Sequence, residues 1–209
     1  MPIDPNLLRL CLVTDSGLAR GRPLTQIVAD AVRGGATMVQ LRDKAATTRA
    51  FLEEARALKS LLAPLGVRLI VNDRVDIALA VDADGVHVGQ TDLPVEDARR
   101  LLGPGKIVGL SIANAAQIMN PDAAAADYLG VGPVYRQQTK EDAEPPLGVE
   151  GFRRLRALTQ KPVLAIGGLK PGNSARVLAA GADGLAVVSA IVAADEPEAA
   201  ARRFTRLFG

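Results

Sequence analysis

The residues with the clearest chemical potential stand where the short apolar runs of this sequence end. Gln40, Arg42 and Lys44 close the second run. Side chains alternate between the two faces of a strand, so Gln40 and Arg42 share one face. Val39 and Leu41 point to the other face. Arginine offers a planar fork to phosphate and lysine a point charge. The spacing predicts a phosphate-binding strand end, with a solvated end and incidental salt bridges as the alternative.

Two carboxylates follow the next two apolar runs. Asn72 and Asp73 end the third run, and Asp92 comes after the fourth. Magnesium usually takes one or two protein carboxylates together with phosphate oxygens, so this pair suits Mg²⁺ better than zinc. The alternative is that Asp73 caps a helix beginning near Val75 and that Asp92 caps one beginning near Pro94.

A histidine and a serine occupy the next positions of interest. His87, the single histidine, lies in an apolar run and is expected to face the interior. It is either a hydrogen-bonded core residue that supports the rim from below or a base. Ser111 closes the fifth run, and the sequence identifies no base near it. We therefore expect Ser111 to hydrogen-bond a phosphate or substrate rather than to act as a nucleophile.

The last third of the chain carries a long polar loop and two strand ends. The stretch 132–148 exceeds the length of an ordinary connector, which is typical of a lid or binding loop, and Lys140 is its candidate cation. Gly168 and Ser189 follow the seventh and eighth apolar runs. Backbone N–H groups at these two ends form a phosphate cradle in many barrels.

Regular alternation of strands and helices would position all these residues. Helical stripes, such as the one that starts at Leu24 and Ile27, separate the apolar runs. Eight such units predict an α/β fold with a single (βα)8 TIM barrel over residues 1–209, in which the strand ends carry the chemistry. A doubly wound open sheet is the rival, but no GlyXGlyXXGly follows the first strand. The runs lie near residues 8–14, 37–42, 68–72, 85–88, 107–111, 128–132, 162–167 and 184–189.

Composition excludes several classes of protein. The 209 residues are 48% hydrophobic and show no linker, which favours one domain with one core. The net charge is +2 and the basic residues are scattered, so no nucleic-acid surface is expected. No leader or membrane span is recognisable, which predicts a cytoplasmic protein without membrane contact. Cys11 is expected to be a buried thiol. A homo-oligomer is compatible with this composition.

Eight short stretches of the sequence, in their order along the chain, resemble motifs of the thiamine phosphate synthase family. The match runs from about residue 10 to residue 192. Several of these motifs are individually specific. They are LeuValThrAsp at 12–15, GlnLeuArgAspLys at 40–44, AsnAspArgValAspIleAlaLeuAla at 72–80, GlyValHisValGlyGlnThrAsp at 85–92, TyrLeuGlyValGlyProVal at 128–134, ThrLys at 139–140, AlaIleGlyGly at 165–168 and ValValSerAlaIle at 187–191.

The resemblance implies a magnesium-dependent transferase with two small-molecule substrates. Such an enzyme joins 4-amino-2-methyl-5-hydroxymethylpyrimidine diphosphate to a thiazole phosphate carboxylate and releases pyrophosphate and carbon dioxide. The implied ligands of Mg²⁺ are Asp73 and Asp92. The residues implied for the pyrimidine diphosphate are Gln40, Arg42, Lys44, Asn72, Ser111 and Lys140. Those implied for the thiazole phosphate are Gln137, Gln138, Thr139, Gly168, Val188 and Ser189. The expected catalytic residues are Arg42, Lys44, Ser111 and Lys140.

One stretch departs from the family pattern. Family members commonly carry ProThrXThrLys, whereas this chain has ArgGlnGlnThrLys at 136–140. Gln137 stands in place of a threonine and Arg136 in place of the proline, which predicts altered thiazole affinity or acceptor choice rather than lost chemistry. Two other functions stay open: the related thiazole tautomerase, which needs a histidine after the sixth strand, and a non-catalytic barrel that binds phosphate ligands.

Overall fold

A computed structural model of the protein describes residues 3–136 and 145–209. Eight parallel strands pair in chain order, and the first also pairs with the last, so that the sheet closes into a barrel. The strands are β1 (Leu10–Val13), β2 (Met38–Leu41), β3 (Arg68–Asn72), β4 (Gly85–Val88), β5 (Ile107–Ile112), β6 (Tyr128–Val131), β7 (Val163–Ile166) and β8 (Gly184–Val187).

Helices connect the strands and cover the outside of the barrel. Their apolar stripes face inward: Leu24, Ile27 and Val28 are buried, as the helical spacing predicts. The α-helices are α1 (Leu24–Arg33), α2 (Thr48–Leu62), α3 (Val75–Ala80), α4 (Val95–Leu102), α5 (Ala115–Ile118), α6 (Pro121–Ala125), α7 (Gly148–Arg156), α8 (Pro171–Ala179), α9 (Ser189–Val192) and α10 (Pro197–Thr205). Short 3-10 turns lie at Pro5–Leu8, Ser16–Leu18, Ala63–Leu65 and Arg206–Phe208.

Two apolar layers result from the alternation of side chains along the strands. Val39 and Leu41 pack outward into the layer between strands and helices. Cys11, Met38 and Ile70 pack into the barrel interior. Burial raises the pKa of the Cys11 thiol to about 12, so the thiol is protonated at neutral pH, as expected of a packing residue. The predicted division of β2 into an outward apolar face and an inward face is confirmed.

The predicted barrel is confirmed, and each of the eight apolar runs contains or coincides with most of one strand. The pairing of β1 with β8 excludes the doubly wound open sheet, because such a sheet has two free edges. In the described parts of the chain, no single helix is both long enough and apolar enough to cross a bilayer.

Close backbone packing requires glycine at the start of β8. A Cβ atom placed on Gly184 would lie 1.7 Å from the carbonyl oxygen of Leu8, well inside van der Waals contact. The atom in the way belongs to the backbone, so a rotamer change cannot relieve the clash. The strand must therefore shift if Gly184 carries a side chain.

We expect Gly184→Ala to lower the free energy of unfolding by about 1–3 kcal/mol, the usual cost of overpacking a core. Gly105→Ala is the matched control, because a Cβ at Gly105 would meet no atom within 4 Å. The control should stay within about 0.5 kcal/mol of the parent chain. Urea unfolding of both variants measures the difference, and equal stabilities would contradict the packing argument.

Candidate active site

A lysine and two aspartates meet at the carboxyl ends of β2, β3 and β4. The Nζ atom of Lys44 lies 2.5 Å from Oδ2 of Asp73. The carboxyl group of Asp92 lies close enough to Asp73 to raise the pKa of the Asp73 carboxyl group. Asp92 is held in place from its own loop, because its Oδ2 accepts a hydrogen bond of 2.7 Å from the N–H of Gly89. Three residues predicted from separate motifs thus form one charged cluster.

The charge state of Asp73 reflects this cluster. Partial burial raises the pKa of its carboxyl group, the nearby carboxylate of Asp92 raises it further, and Lys44 opposes the shift. The backbone of Asp73 has a φ of 60°, in the left-handed region that few non-glycine residues adopt. Asn72 donates from its side chain to Asp73 and also to the carbonyl of His87. The position of the Asp73 carboxylate is therefore fixed from several sides.

The alternative roles of the two aspartates as helix caps are wrong. The N-cap residue of α3 is Arg74, and that of α4 is Pro94, and neither cap has a side-chain hydrogen bond. Asp73 and Asp92 instead direct their carboxylates toward the barrel mouth cluster. Within residues 3–136 and 145–209, no group of three or more His, Cys, Asp or Glu side chains forms a metal site.

Arg42 is positioned by residues at the end of β1 that sequence reasoning left without a role. Thr14 is fully buried, and its hydroxyl accepts from the N–H of Arg42 at 2.9 Å and donates to its carbonyl at 3.0 Å. The Nη1 atom of Arg42 lies 3.4 Å from Oδ2 of Asp15. The sequence signal that could have revealed this role is the position of Thr14 and Asp15 directly after the first apolar run.

His87 and Ser111 lie side by side. Both ring nitrogens of His87 have partners at 2.9 Å: Nε2 contacts the hydroxyl of Ser111, and Nδ1 contacts the hydroxyl of Tyr128. The prediction of a hydrogen-bonded core histidine is confirmed. The sequence identified no base near Ser111, because the pairing of β4 with β5 rather than chain spacing brings His87 beside it. Gln90 also holds Ser111, since its amide donates to the serine carbonyl at 2.7 Å.

The surroundings of His87 make it a weak base. Burial lowers the pKa of its imidazole to about 4, so the ring is neutral at pH 7. The partner of Nδ1 is a phenol rather than the carboxylate that stabilises an imidazolium ion in Ser-His-Asp triads. Ser111 is therefore not activated as a nucleophile, in agreement with the predicted binding role.

The ends of β7 and β8 form a second part of the barrel mouth. Gly168 has a φ of 65°, and a Cβ there would lie 2.6 Å from the carbonyl oxygen of Arg136. Asn173 fixes this turn, since its amide donates to the carbonyl of Gly168 at 3.0 Å. On the neighbouring strand, Val188 precedes the first turn of α9 and Ser189 begins it. The adjacent registers of β7 and β8 place these residues at the same end of the barrel.

Arg22 braces the short helix α9 from the β1–α1 connection. Its guanidinium donates to the carbonyls of Val192 and Ala194, each at 2.7 Å, and to that of Ala19 at 3.1 Å. Cations stabilise the carboxyl end of a helix because its last carbonyls lack intrahelical partners. Arg22 thereby fixes the helix that begins at Ser189, a contact that the sequence did not predict.

Part of the predicted site falls outside the described residues. The stretch 137–144, which is not among these residues, contains the predicted Gln137, Gln138, Thr139 and Lys140. The sixth strand is followed by Gly132, Pro133 and Val134, and the chain has no histidine other than His87.

Comparisons with known proteins agree with the fold and the motifs. A family model described as thiamine monophosphate synthase matches residues 10–191. The thiamine-phosphate synthase of Chloroflexus aurantiacus is 53% identical over 199 residues, which cover 95% of this chain and 92% of that protein. That of Xanthobacter autotrophicus is 56% identical over 195 residues, covering 93% and 92%. The solved structure of a thiamine phosphate pyrophosphorylase from Pyrococcus furiosus is similar with a TM-score of 0.87 and 36% identity, covering 97% of this chain and 96% of that one.

Thr14→Val should destabilise the protein, because it leaves the N–H and the carbonyl of Arg42 without their buried partner. The expected loss is about 2–6 kcal/mol, at 1–3 kcal/mol for each of the two unsatisfied groups. Thr14→Ser keeps the hydroxyl and removes one methyl group, so it should lose only about 1 kcal/mol. Urea unfolding checks this order, and a serine variant as unstable as the valine variant would refute the role of the hydroxyl.

Proposed function

The chain belongs to the thiamine monophosphate synthase family, and on that premise we propose the reaction that its barrel mouth carries out. The protein is a transferase. It joins the pyrimidine of 4-amino-2-methyl-5-hydroxymethylpyrimidine diphosphate to the ring nitrogen of a thiazole phosphate carboxylate. The products are thiamine phosphate, pyrophosphate and carbon dioxide.

The diphosphate lies against the cations that follow β2. Arg42 offers a planar fork to phosphate oxygens, and Lys44 a mobile positive charge. Asn72 and Ser111 supply uncharged donors on the adjoining strands, and Gln40 contacts the pyrimidine from below. Lys140, beyond the described part of the loop, adds a further cation to the same end. These groups bind the diphosphate and stabilise the negative charge that grows as it leaves.

Asp73 and Asp92 are the residues that would hold Mg²⁺. They fit a hard cation: both ligands are carboxylates, they lie together, and their mutual repulsion contributes to the raised pKa of Asp73. Two carboxylates leave room for the phosphate oxygens and water that magnesium usually retains. When bound, the ion supplies positive charge against which the diphosphate departs.

The thiazole phosphate lies at the ends of β7 and β8. Gly168, Val188 and Ser189 present backbone N–H groups and a hydroxyl there, which are groups that bind phosphate. Gln137, Gln138 and Thr139 complete the site from the loop. Because Gln137 replaces a threonine, we expect the affinity for the thiazole phosphate to differ from that of relatives that carry ProThrXThrLys.

The reaction requires no nucleophilic side chain. The carbon–oxygen bond to the diphosphate breaks first, leaving its electron pair on pyrophosphate and a positive charge on the pyrimidine methylene group. The thiazole nitrogen then supplies the electron pair for the new carbon–nitrogen bond. The carboxylate leaves as carbon dioxide, and the electron pair of its carbon–carbon bond stays on the thiazolium carbon, which takes up a proton. A neutral His87 and an unactivated Ser111 are compatible with this sequence of steps, because catalysis consists of positioning and charge stabilisation.

The observation that carries the proposal is the cluster of Lys44, Asp73 and Asp92 in a barrel about half identical to thiamine-phosphate synthases. The tautomerase alternative has no support, since Gly132 and Pro133 follow β6 where a histidine is needed. An assay of product formation distinguishes the proposed transferase from the other alternative, a barrel that binds phosphate ligands without turnover.

The direct test is incubation of the purified chain with both substrates and magnesium, followed by measurement of thiamine phosphate and pyrophosphate. We expect both products in equal amounts, and their loss when a chelator removes magnesium. Pyrophosphate without thiamine phosphate would indicate a defective thiazole site. Substrate binding without either product would identify a non-catalytic barrel and refute the proposal.

Asp92→Ala should lower kcat/KM by at least about 100-fold at fixed magnesium, because it removes one of the two proposed metal ligands. Stabilisation of the charge on the departing diphosphate is the main contribution to catalysis, and the ion supplies part of it. Asp97→Ala is the matched control: it removes a carboxylate from helix α4, where Asp97 pairs with Arg100 at the surface. The control should retain parental activity. Steady-state rates over a magnesium titration measure both variants, and full activity in Asp92→Ala would rule out the metal assignment.

A further inference from the structure

A chain of buried hydrogen bonds crosses the barrel interior beneath the mouth. It links Tyr128 on β6, His87 on β4 and Ser111 on β5. Tyr128 has no exposed surface, and His87 is 7% exposed. Under the proposed function, Gln40 and Ser111 contact substrate, whereas Tyr128 and His87 have no assigned role. Two buried polar rings behind the binding residue Ser111 therefore require an explanation.

The strands are built to accommodate these rings. A Cβ atom on Gly109 would lie 2.3 Å from Cζ of Tyr128 and 2.5 Å from Nδ1 of His87. One on Gly130 would lie 2.9 Å from Cε1 of His87. Glycine in the interior of a strand weakens the strand, so its presence here needs a local reason. Both glycines leave the space in which the His87–Tyr128 contact forms.

Donor and acceptor capacity gives the chain a direction. Among the described residues, the hydrogen-bond partner of the buried Tyr128 hydroxyl is Nδ1 of His87, and a buried O–H group left without an acceptor is costly. The hydroxyl hydrogen of Tyr128 is then available to Nδ1 of His87, 2.9 Å away. A neutral imidazole has one donor and one acceptor nitrogen. With Nδ1 as acceptor, Nε2 carries the hydrogen and donates it to Ser111.

We propose that Tyr128 and His87 are positioning residues that hold His87 as its Nε2–H tautomer, so that Ser111 accepts from the ring and donates its own hydroxyl hydrogen to the substrate. This inference rests on the proposed function for the identity of the acceptor, which is a diphosphate oxygen of the pyrimidine substrate. Its claim about the tautomer concerns the free protein.

The direction of the chain decides whether Ser111 attracts or repels the diphosphate. Phosphate oxygens only accept hydrogen bonds, and a bond to a charged acceptor is stronger than one between neutral groups. If Ser111 instead gave its hydrogen to Nε2, it would present only lone pairs to an anion. The Nε2–H tautomer thus converts a nearby hydroxyl into a donor for the departing charge.

The tautomer can be read directly, because His87 is the only histidine among the 209 residues. The protein is labelled with ¹⁵N-histidine, freed of any histidine tag and examined without substrate by two-bond ¹H–¹⁵N correlation. We expect a protonated Nε2 and an unprotonated Nδ1. A ring protonated at Nδ1, alone or together with Nε2, would overturn the proposed direction.

Variants of the two tyrosines show whether the phenol sets this tautomer. Tyr128→Phe removes the donor to Nδ1, so the fraction of the Nδ1–H tautomer should increase. Tyr135→Phe is the matched control, since the Tyr135 hydroxyl donates to the carbonyl of Asn173 and does not contact His87. The control should leave the spectrum of His87 unchanged. An unchanged tautomer in Tyr128→Phe would refute the part assigned to the phenol.

A double-mutant cycle tests whether Tyr128 acts through Ser111. Ser111→Ala should lower kcat roughly 10- to 100-fold, the range for one hydrogen bond to a charged group. Tyr128→Phe should give a smaller loss, and none when Ser111 is already alanine. Additive losses would overturn the positioning role. An inactive parent chain with the Nε2–H tautomer would refute the proposed function while leaving the direction of the chain intact.

Discussion

The pairing of β1 with β8 is the constraint on which the rest of the structure depends. Closure of the ladder directs all eight carboxyl ends to one side and encloses a single interior. It also decides which side chains meet across that interior: His87 and Tyr128, whose Nδ1 and hydroxyl lie 2.9 Å apart, are on β4 and β6, strands that do not pair with each other. An open sheet of the same strands would keep the ladder between neighbouring strands but lose these contacts.

Charges at the barrel mouth are paired before any ligand arrives. Lys44 contacts Asp73, and Arg42 contacts Asp15. The mostly buried side chains of Arg42 and Asp73 therefore each have a partner of opposite charge, and a buried charge without such a partner would be costly. Under the proposed function, a diphosphate and a divalent cation provide each charged side chain with a replacement partner. The mouth is therefore suited to a ligand that brings both signs of charge together.

Much of the fold and part of the site follow from the sequence. Strand positions were predictable because helix-covered barrel strands are short and nearly continuous in apolar residues. The convergence of Lys44, Asp73 and Asp92 followed from their place at strand ends. The bond between Thr14 and the backbone of Arg42 did not, because it depends on the register of β1 against β2. Tyr128 was overlooked for a similar reason: an aromatic residue that begins a strand gives no sign that its hydroxyl meets a histidine two strands away.

Under the proposed function, the brace that Arg22 places on α9 affects the thermodynamics of ligand capture at the Val188–Ser189 turn. A four-residue helix is too short to be stable in isolation, and its ordering would otherwise fall to the ligand. Here the conformational entropy of that turn is lost when the chain folds. A molecule arriving at the turn meets a preorganised surface and keeps more of its interaction energy as affinity. Arg22, in the connection that follows β1, thus makes the connection that follows β8 rigid.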